Sequence, residues 1–128
     1  MTPKKSDYRA LYPFRSHWLD LEQARMHYLD EGPREAPAIV MCHGNPTWSF
    51  YFRTLIPTLS ERYRVIVPDH VGCGLSDKPQ DYPYVLEQHI RNLEAFIDHL
   101  ELHEVTLLLH DWGGGIGMGY ATRNPANV

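Results

Sequence analysis

The sequence predicts an α/β fold, in which a mostly parallel sheet is flanked by helices and begins with an antiparallel pair of strands. Short, uninterrupted apolar runs recur along the chain and are typical of strands buried on both faces. Segments with a helical spacing of apolar residues separate these runs. Each run ends in a polar loop, and the loops are expected to meet at the carboxyl edge of the sheet, where such folds bind their ligands.

The N-terminal residues predict an arm followed by a hairpin. Residues 1–13 are polar apart from a few aromatic side chains, and we interpret them as an arm that lies on the body of the protein. Residues 14–128 are expected to form the N-terminal part of a single domain. Its first strands are predicted at 14–21 and 24–30, which pair through a short turn.

The first buried strand is predicted at 38–42, an apolar run without a charge. A helix is expected to begin near Trp48, with the side chain of Thr47 or Ser49 capping its N-terminus. Pro57 lacks a backbone N–H, so it must break or restart this helix.

The second buried strand is predicted at 64–67 and leads into a long loop, 68–79. Long ordered loops at strand ends are usually functional. We expect Asp69 and Asp77 to stabilise this loop through turns closed by their own side chains.

The clearest helix of the chain follows this loop. Its apolar residues recur at spacings of three and four, which places them on one face: Leu86, Ile90, Leu93, Ile97 and Leu100. Glu87 and Arg91 are four residues apart and are expected to pair on the opposite face.

The third buried strand, predicted at 105–109, runs into the turn 110–115, and a helix then continues to about Asn124. A strand, a sharp turn and a helix are the context of a nucleophile elbow, whose middle residue is lifted above the sheet. Here that residue is Asp111. Leu109 departs from the small residue that the motif carries two places before its nucleophile.

Two interpretations of this turn stay open. If the turn is an elbow, Gly113 and Gly114 allow the helix to cross the strand closely, because a Cβ would clash there. Alternatively, the glycines only end the strand, and Asp111 caps the helix that follows.

The composition is that of an ordinary globular protein and argues against several kinds of partner. The 128 residues carry a net charge of -4, with 43% hydrophobic and 22% charged residues, and no basic patch predicts nucleic-acid binding. No apolar run approaches the roughly 20 residues of a membrane span. Cys42 and Cys73 provide no disulfide framework, so a reducing cytoplasm is expected. No metal site is predicted, because the pair His99 and His103 is usually incidental.

Three motifs, 43–48 (HGNPTW), 69–76 (DHVGCGLS) and 110–114 (HDWGG), occur in this order. They resemble the first half of an α/β-hydrolase of the haloalkane dehalogenase group, over nearly the whole chain from about Tyr12. The resemblance implies the α/β-hydrolase fold and places the helical lid, the catalytic acid and the base histidine beyond Val128. This half alone is therefore expected not to complete a catalytic cycle. The resemblance implies no cofactor.

The resemblance implies that Asp111 is the nucleophile. A carboxylate displaces a leaving group from a saturated carbon and forms an ester, which water then cleaves, whereas a serine would leave an ether. The backbone N–H groups of Asn45 and Trp112 would stabilise the oxyanion. The indole of Trp112 and the side-chain amide of Asn45 would bind a departing halide. Four residues support these loops: His43, Gly44, Gly113 and Gly114.

Other functions and simpler roles stay open. The β-lactone decarboxylases of olefin biosynthesis share much of this motif set, and epoxide hydrolases belong to the same aspartate-nucleophile branch; each takes a small-molecule substrate. An inactive, truncated half domain is the alternative from another class. If the family resemblance is set aside, the simpler expectation is that Asn45 forms a turn and that Trp112 packs in the core.

The histidines are expected to assist the site rather than to act as the general base. His43 and His110 flank the site and are interpreted as orienting the backbone, because an elbow turns the neighbours of its nucleophile away. Surface or packing positions are predicted for the others named here: His17, His27, His89, His99 and His103.

Overall fold

The computed structural model describes residues 4–128, which form a five-stranded sheet with helices packed on both faces. The strand order is β1-β2-β4-β3-β5. The strands are β1 (His17–Asp20), β2 (Arg25–Glu31), β3 (Ala38–Cys42), β4 (Arg64–Pro68) and β5 (Thr106–Leu109). β2 runs antiparallel to β1 and β4, whereas β3 is parallel to β4 and β5. The α/β class and the antiparallel N-terminal pair are confirmed.

Two of the helices are long and the others are single turns. The α-helices are α1 (Lys5–Tyr8), α2 (Ile56–Leu59), α3 (Leu86–His99) and α4 (Trp112–Arg123). The 3-10 turns are Arg9–Leu11, Ser49–Phe52 and Pro125–Asn127. No helix among residues 4–128 is long and apolar enough to cross a bilayer.

The predicted hairpin forms, but its first strand is shorter than 14–21 because pairing begins only at His17. The backbone N–H of Leu21 donates to the carbonyl of Ala24 at 2.8 Å and closes the turn. Residues 1–3 of the predicted arm lie outside the described residues. Further along the arm, Tyr12 is buried and its ring lies 5.1 Å from that of Trp48, so this part packs on the body.

The helix predicted from Trp48 is wrong: Trp48 is extended, and a 3-10 turn follows in place of the helix. No side chain caps this turn. The hydroxyl of Ser49 lies 2.5 Å from that of Tyr12, and the hydroxyl of Thr47 donates to the carbonyl of Gly44. The proline prediction is confirmed, because Pro57 lies in the first turn of α2, where its missing N–H costs nothing.

Helix α3 buries the middle of the predicted face, Ile90, Leu93 and Ile97, whereas Leu86 is exposed and Leu100 is only half-buried. The predicted ion pair does not form. Glu87 pairs with Arg123 of α4, and Arg91 donates to the side chain of Gln88 at 3.3 Å. Helices α3 and α4 pack so closely that a Cβ on Gly119 would lie 2.7 Å from Cγ1 of Ile90. Because the two helices are in contact, Glu87 pairs with Arg123 on α4 and not with Arg91 on its own helix.

Strand β5 is not buried on both faces as predicted. Thr106 is exposed, and the three leucines that follow it are only half-buried. β5 lies at the edge of the sheet beside β3, so one side of its backbone has no strand neighbour among the described residues. β3 and β4, in the interior of the sheet, are the strands whose apolar runs are buried as predicted.

Candidate active site

Asp111 lies between β5 and α4 in a backbone conformation that L-residues seldom adopt, with φ 56° and ψ −124°. Its side chain does not cap α4, so the alternative interpretation of Asp111 as a helix cap is wrong. The turn instead presents the carboxylate to solvent, where its side chain is exposed. Strain of this kind is typical of functional turns, which fits the predicted elbow.

The carboxylate of Asp111 is held by backbone N–H groups from two loops. The N–H of Asn45 donates to Oδ2 at 3.0 Å, and the neighbouring backbone N–H of Trp112 also favours the charged form of the carboxylate. These two donors, with a smaller contribution from nearby His110, lower the pKa of Asp111 below its ordinary value. Asp111 is therefore an ionised, solvent-accessible carboxylate at neutral pH.

Glycines let the loops approach this closely at two places. A Cβ on Gly44 would lie 2.7 Å from Oδ2 of Asp111, and one on Gly113 would lie 2.6 Å from the carbonyl oxygen of His43. The predicted clash at Gly114 is wrong, because a Cβ there would meet nothing within 4 Å. The bulky Leu109 fits because its side chain packs over Gly117 of α4.

Trp112 is 56% exposed, so its interpretation as core packing is wrong. Together with Asn45 it lines a cleft of about 710 Å³ beside the elbow. The cleft is mostly apolar, and its other walls come from the 68–79 loop, the segment just before α3, and helices α3 and α4: Val71, Cys73, Tyr84, Leu86, His89 and Ile116. The two residues implied as halide donors thus face one cavity large enough for a small apolar molecule.

The ring of His43 hydrogen-bonds the backbone at both of its nitrogens. It is fully buried, and its Nδ1 hydrogen-bonds the carbonyl of Gly44 at 2.8 Å. Its Nε2 accepts the backbone N–H of His70 at 3.0 Å, and Nε2 of His70 lies 3.1 Å from the carbonyl of His43. Burial lowers the pKa of both imidazoles, most strongly that of His70. His110 is exposed and its ring stacks on that of Tyr51 at 4.4 Å.

Sequence reasoning assigned no role to His70. The only signal was its position, directly after a strand end that neighbours the one before His43. His89, which the sequence predicts at a surface or packing position, lines the cleft, and its Nδ1 is buried without a hydrogen-bond partner.

Asp69 fixes the 68–79 loop mainly through partners outside the loop, and its side chain does not close a turn of its own. Its buried carboxylate accepts the backbone N–H of Ser49 at 2.6 Å and that of Leu75 at 3.0 Å, and it lies 2.9 Å from Nδ1 of His27. Asp77 likewise accepts the backbone N–H of Arg25 at 2.8 Å. The loop is therefore anchored to β2 and to the segment after β3.

No three His, Cys, Asp or Glu side chains within residues 4–128 are grouped so that they could hold a metal ion. The arrangement of Asp111 and the backbone N–H of Asn45 suits nucleophilic attack by a carboxylate.

Comparison with known proteins gives a consistent result. Residues 37–128 match the alpha/beta hydrolase fold family. The chain is 51% identical over 122 residues to a cis-3-alkyl-4-alkyloxetan-2-one decarboxylase of Shewanella oneidensis, an alignment covering 93% of this chain and 38% of that protein. It is 44% identical over 118 residues to haloalkane dehalogenase 2 of Mycobacterium tuberculosis, covering 92% and 41%.

Solved structures agree with these relatives. The tetrameric haloalkane dehalogenase DpaA from Paraglaciecola agarilytica superposes with a TM-score of 0.88 at 33% identity, over 99% of this chain and 46% of that one. The chain therefore spans about two fifths of the length of the curated relatives it matches, 38% and 41% for the two compared here.

Proposed function

Since the chain belongs to the α/β-hydrolase fold family, we propose that Asp111 is the nucleophile of an enzyme that forms a covalent ester with its substrate. The single observation that carries this proposal is the geometry of the carboxylate, which is exposed on a strained turn with Oδ2 held 3.0 Å from the N–H of Asn45. A carboxylate in this setting is ionised, accessible and fixed in direction, which is what an attacking group needs.

The hydrogen bond to Oδ2 assigns different tasks to the two carboxylate oxygens. Oδ1 attacks a saturated carbon, and the carbon–halogen bond breaks as halide departs with its electron pair. Oδ2 becomes the carbonyl oxygen of the ester. When water adds to that carbonyl, negative charge develops on Oδ2, toward which the N–H group of Asn45 already points. Loss of one such donor typically slows this kind of step 10²–10³-fold.

Carbon–halogen cleavage is the reaction we propose for the whole protein. A departing halide carries no proton, so it needs N–H donors, and Asn45 and Trp112 line the same cleft. The likeness to haloalkane dehalogenase 2 and to the dehalogenase structure supports this choice. The free cysteines Cys42 and Cys73 suit a reducing cytoplasm.

A second candidate is cleavage of a β-lactone to an alkene, favoured by the 51% identity to the Shewanella decarboxylase. The first step is the same: Asp111 attacks the saturated ring carbon bonded to the ring oxygen, and the ring opens to a carboxylate. The carbon–carbon bond that joins this carboxylate to the alkyl chain then breaks, and carbon dioxide leaves. The electron pair of that bond forms the double bond, and the bond between the alkyl carbon and the Asp111 oxygen breaks. No water is consumed, and the Asp111 carboxylate is regenerated.

The histidines beside the elbow are not proposed as the base that activates water in the first reaction. Both ring nitrogens of His43 are engaged in hydrogen bonds, and the ring of His110 is stacked on Tyr51. The 128-residue chain by itself is therefore expected to form the ester with a haloalkane and to stop there.

Product analysis tests the assignment. The protein that carries this chain is incubated separately with a short bromoalkane and with a cis-dialkyl β-lactone. Bromide and alcohol from the first substrate support the dehalogenase, whereas alkene and carbon dioxide from the second alone move the assignment to the decarboxylase. Asp111→Asn should abolish either reaction, and activity that survives this substitution would overturn the proposed nucleophile.

A further inference from the structure

One peptide unit carries both a hydrogen-bond acceptor and a donor of the candidate site. The carbonyl of Gly44 and the N–H of Asn45 belong to the same planar group and point in opposite directions. The direction of the N–H toward Asp111 is therefore set by whatever holds the carbonyl at the other end of the peptide.

Three donors hold that carbonyl. Nδ1 of His43 lies 2.8 Å from the Gly44 oxygen, the hydroxyl of Thr47 donates to it at 3.0 Å, and the backbone N–H of Thr47 donates at 3.2 Å. Donors on a carbonyl oxygen also polarise the peptide, so its N–H becomes a better donor. The three bonds both aim and strengthen the contact between Asn45 and Asp111.

The tautomer of His43 is fixed by its other nitrogen. Nε2 accepts the backbone N–H of His70 at 3.0 Å, so it carries no proton and Nδ1 must carry the single proton of the neutral ring. His70 in turn places its Nε2 against the carbonyl of His43 at 3.1 Å. The two buried histidines thus lock the ends of β3 and β4 together, with the Nδ1 donor aimed at Gly44.

We propose that His43 and Thr47 are positioning residues, which hold the Gly44–Asn45 peptide so that its N–H stabilises the oxyanion on Oδ2 of Asp111. The kinetic part of this inference rests on the proposed function. Oxyanion charge develops when the ester is cleaved rather than when it forms. Loosening the peptide should therefore slow cleavage of the ester while leaving its formation nearly unchanged.

Threonine variants test this with little risk to the fold. Thr47→Val removes the hydroxyl donor and keeps the shape of the side chain, and Thr47→Ser restores the donor. Thr122→Val is a matched control, because the Thr122 hydroxyl also donates to the carbonyl three residues earlier at 3.0 Å, on α4 away from the turn. The ester is formed with a bromoalkane on the 128-residue chain and then cleaved with hydroxylamine.

We expect Thr47→Val to form the ester within twofold of the parent rate and to lose about tenfold in cleavage, a fraction of what loss of a whole oxyanion donor costs. Thr47→Ser and Thr122→Val should cleave at the parent rate. Equal cleavage rates in Thr47→Val and the parent would overturn the proposal, as would an equal loss in Thr122→Val.

Nuclear magnetic resonance gives a readout that does not depend on catalysis. In ¹⁵N-labelled chain, the ring of His43 should carry its proton on Nδ1, and the amide proton of Asn45 should follow the titration of Asp111. His43→Leu should weaken that response, and His43→Asn, which keeps a donor at the δ position, should restore it. A proton on Nε2 of His43, or an unchanged Asn45 response in His43→Leu, would overturn the positioning role even if the ester forms. If the ester does not form but the His43 ring proton and the Asn45 amide behave as expected, only the proposed function is contradicted.

Discussion

The backbone N–H of Asn45 lies 3.0 Å from Oδ2 of Asp111, although 66 positions separate the two residues in the chain. Strands β3 and β5 are parallel neighbours, and their register pairs Cys42 with Leu109. Both strands therefore end at the same level, and the loops that follow them meet. Strand pairing, more than any local motif, brings the donor to the carboxylate.

Alanine substitutions of adjacent glycines should have opposite effects. Gly113→Ala places a methyl group against the backbone carbonyl of His43, which cannot move without disturbing β3, so we expect a loss of about 3 kcal/mol in the free energy of unfolding. Gly114→Ala meets nothing within 4 Å and should gain about 0.5–1 kcal/mol from reduced backbone entropy in the unfolded state. Urea denaturation of the two variants measures both; a destabilised Gly114→Ala would contradict the structure.

Relief of backbone strain at Asp111 should stabilise the fold and abolish formation of the ester. With φ at 56°, glycine suits this turn better than any L-residue, so Asp111→Gly should raise the melting temperature by several degrees. Asp111→Asn keeps the strain and serves as the control. Calorimetry compares the two, and an Asp111→Gly variant that melts below Asp111→Asn would show that the turn is not strained.

The local elements could largely be predicted from the sequence. The continuous apolar run of β3 indicates a strand that is buried on both faces. The three- and four-residue spacing in α3 indicates a helix with one apolar face, because a helix repeats every 3.6 residues. Pro57 marks the start of α2 by its missing N–H. The three polar loops were correctly expected at one sheet edge, since parallel strands place their carboxyl ends together.

What the sequence could not show depends on contacts between distant segments. His27 looks like an ordinary strand residue, yet it is fully buried against Asp69, 42 positions later. Glu87 has a suitable partner at Arg91 but pairs with Arg123, because α4 packs beside α3. The contact between His43 and His70 likewise depends on the register of β3 and β4, which the sequence does not show.

Two arginines that contact Asp30 should contribute unequally to stability. Burial would raise the pKa of Asp30, but hydrogen bonds from Arg64 and Arg34 outweigh it and lower the pKa. Arg64 binds both carboxylate oxygens, at 3.0 and 2.8 Å, and is largely buried. The side chain of Arg34 is 65% exposed.

Arg64→Met should therefore cost about 2–3 kcal/mol in the free energy of unfolding, because it leaves Asp30 buried with only an exposed partner. Arg34→Met should cost less than about 0.5 kcal/mol. Chemical denaturation at pH 7 provides the comparison. Equal losses in the two variants would mean that burial of the pair does not set its strength.

Stability should fall on mild acidification because buried histidines must stay neutral. Burial lowers the pKa of His43, and burial together with His43 and His89 lowers that of His70 further. The unfolded chain, with histidine pKa values near the ordinary value of about 6.5, therefore binds more protons than the folded chain below that pH. The free energy of unfolding should fall as pH drops from about 6.5 toward 5, by up to about 1.4 kcal/mol per pH unit for each such histidine.

His70→Leu should flatten this slope, whatever it does to stability at pH 7. Denaturation curves at several pH values for parent and variant give the difference directly, and contributions from carboxylates cancel in that difference. Identical slopes in parent and variant would show that His70 is not kept neutral by the fold.

Mass spectrometry of the ester tests the central claim most directly. The folded 128-residue chain is incubated with a bromoalkane and digested, and the modified peptide is sequenced. We expect one alkyl group per chain, located on Asp111, and none on the Asp111→Asn variant. Cys73, which lines the cleft beside the elbow, is the competing nucleophile, but burial raises the pKa of its thiol. Alkylation of Cys73 in place of Asp111, or no alkylation of a chain that circular dichroism finds folded, would contradict the account.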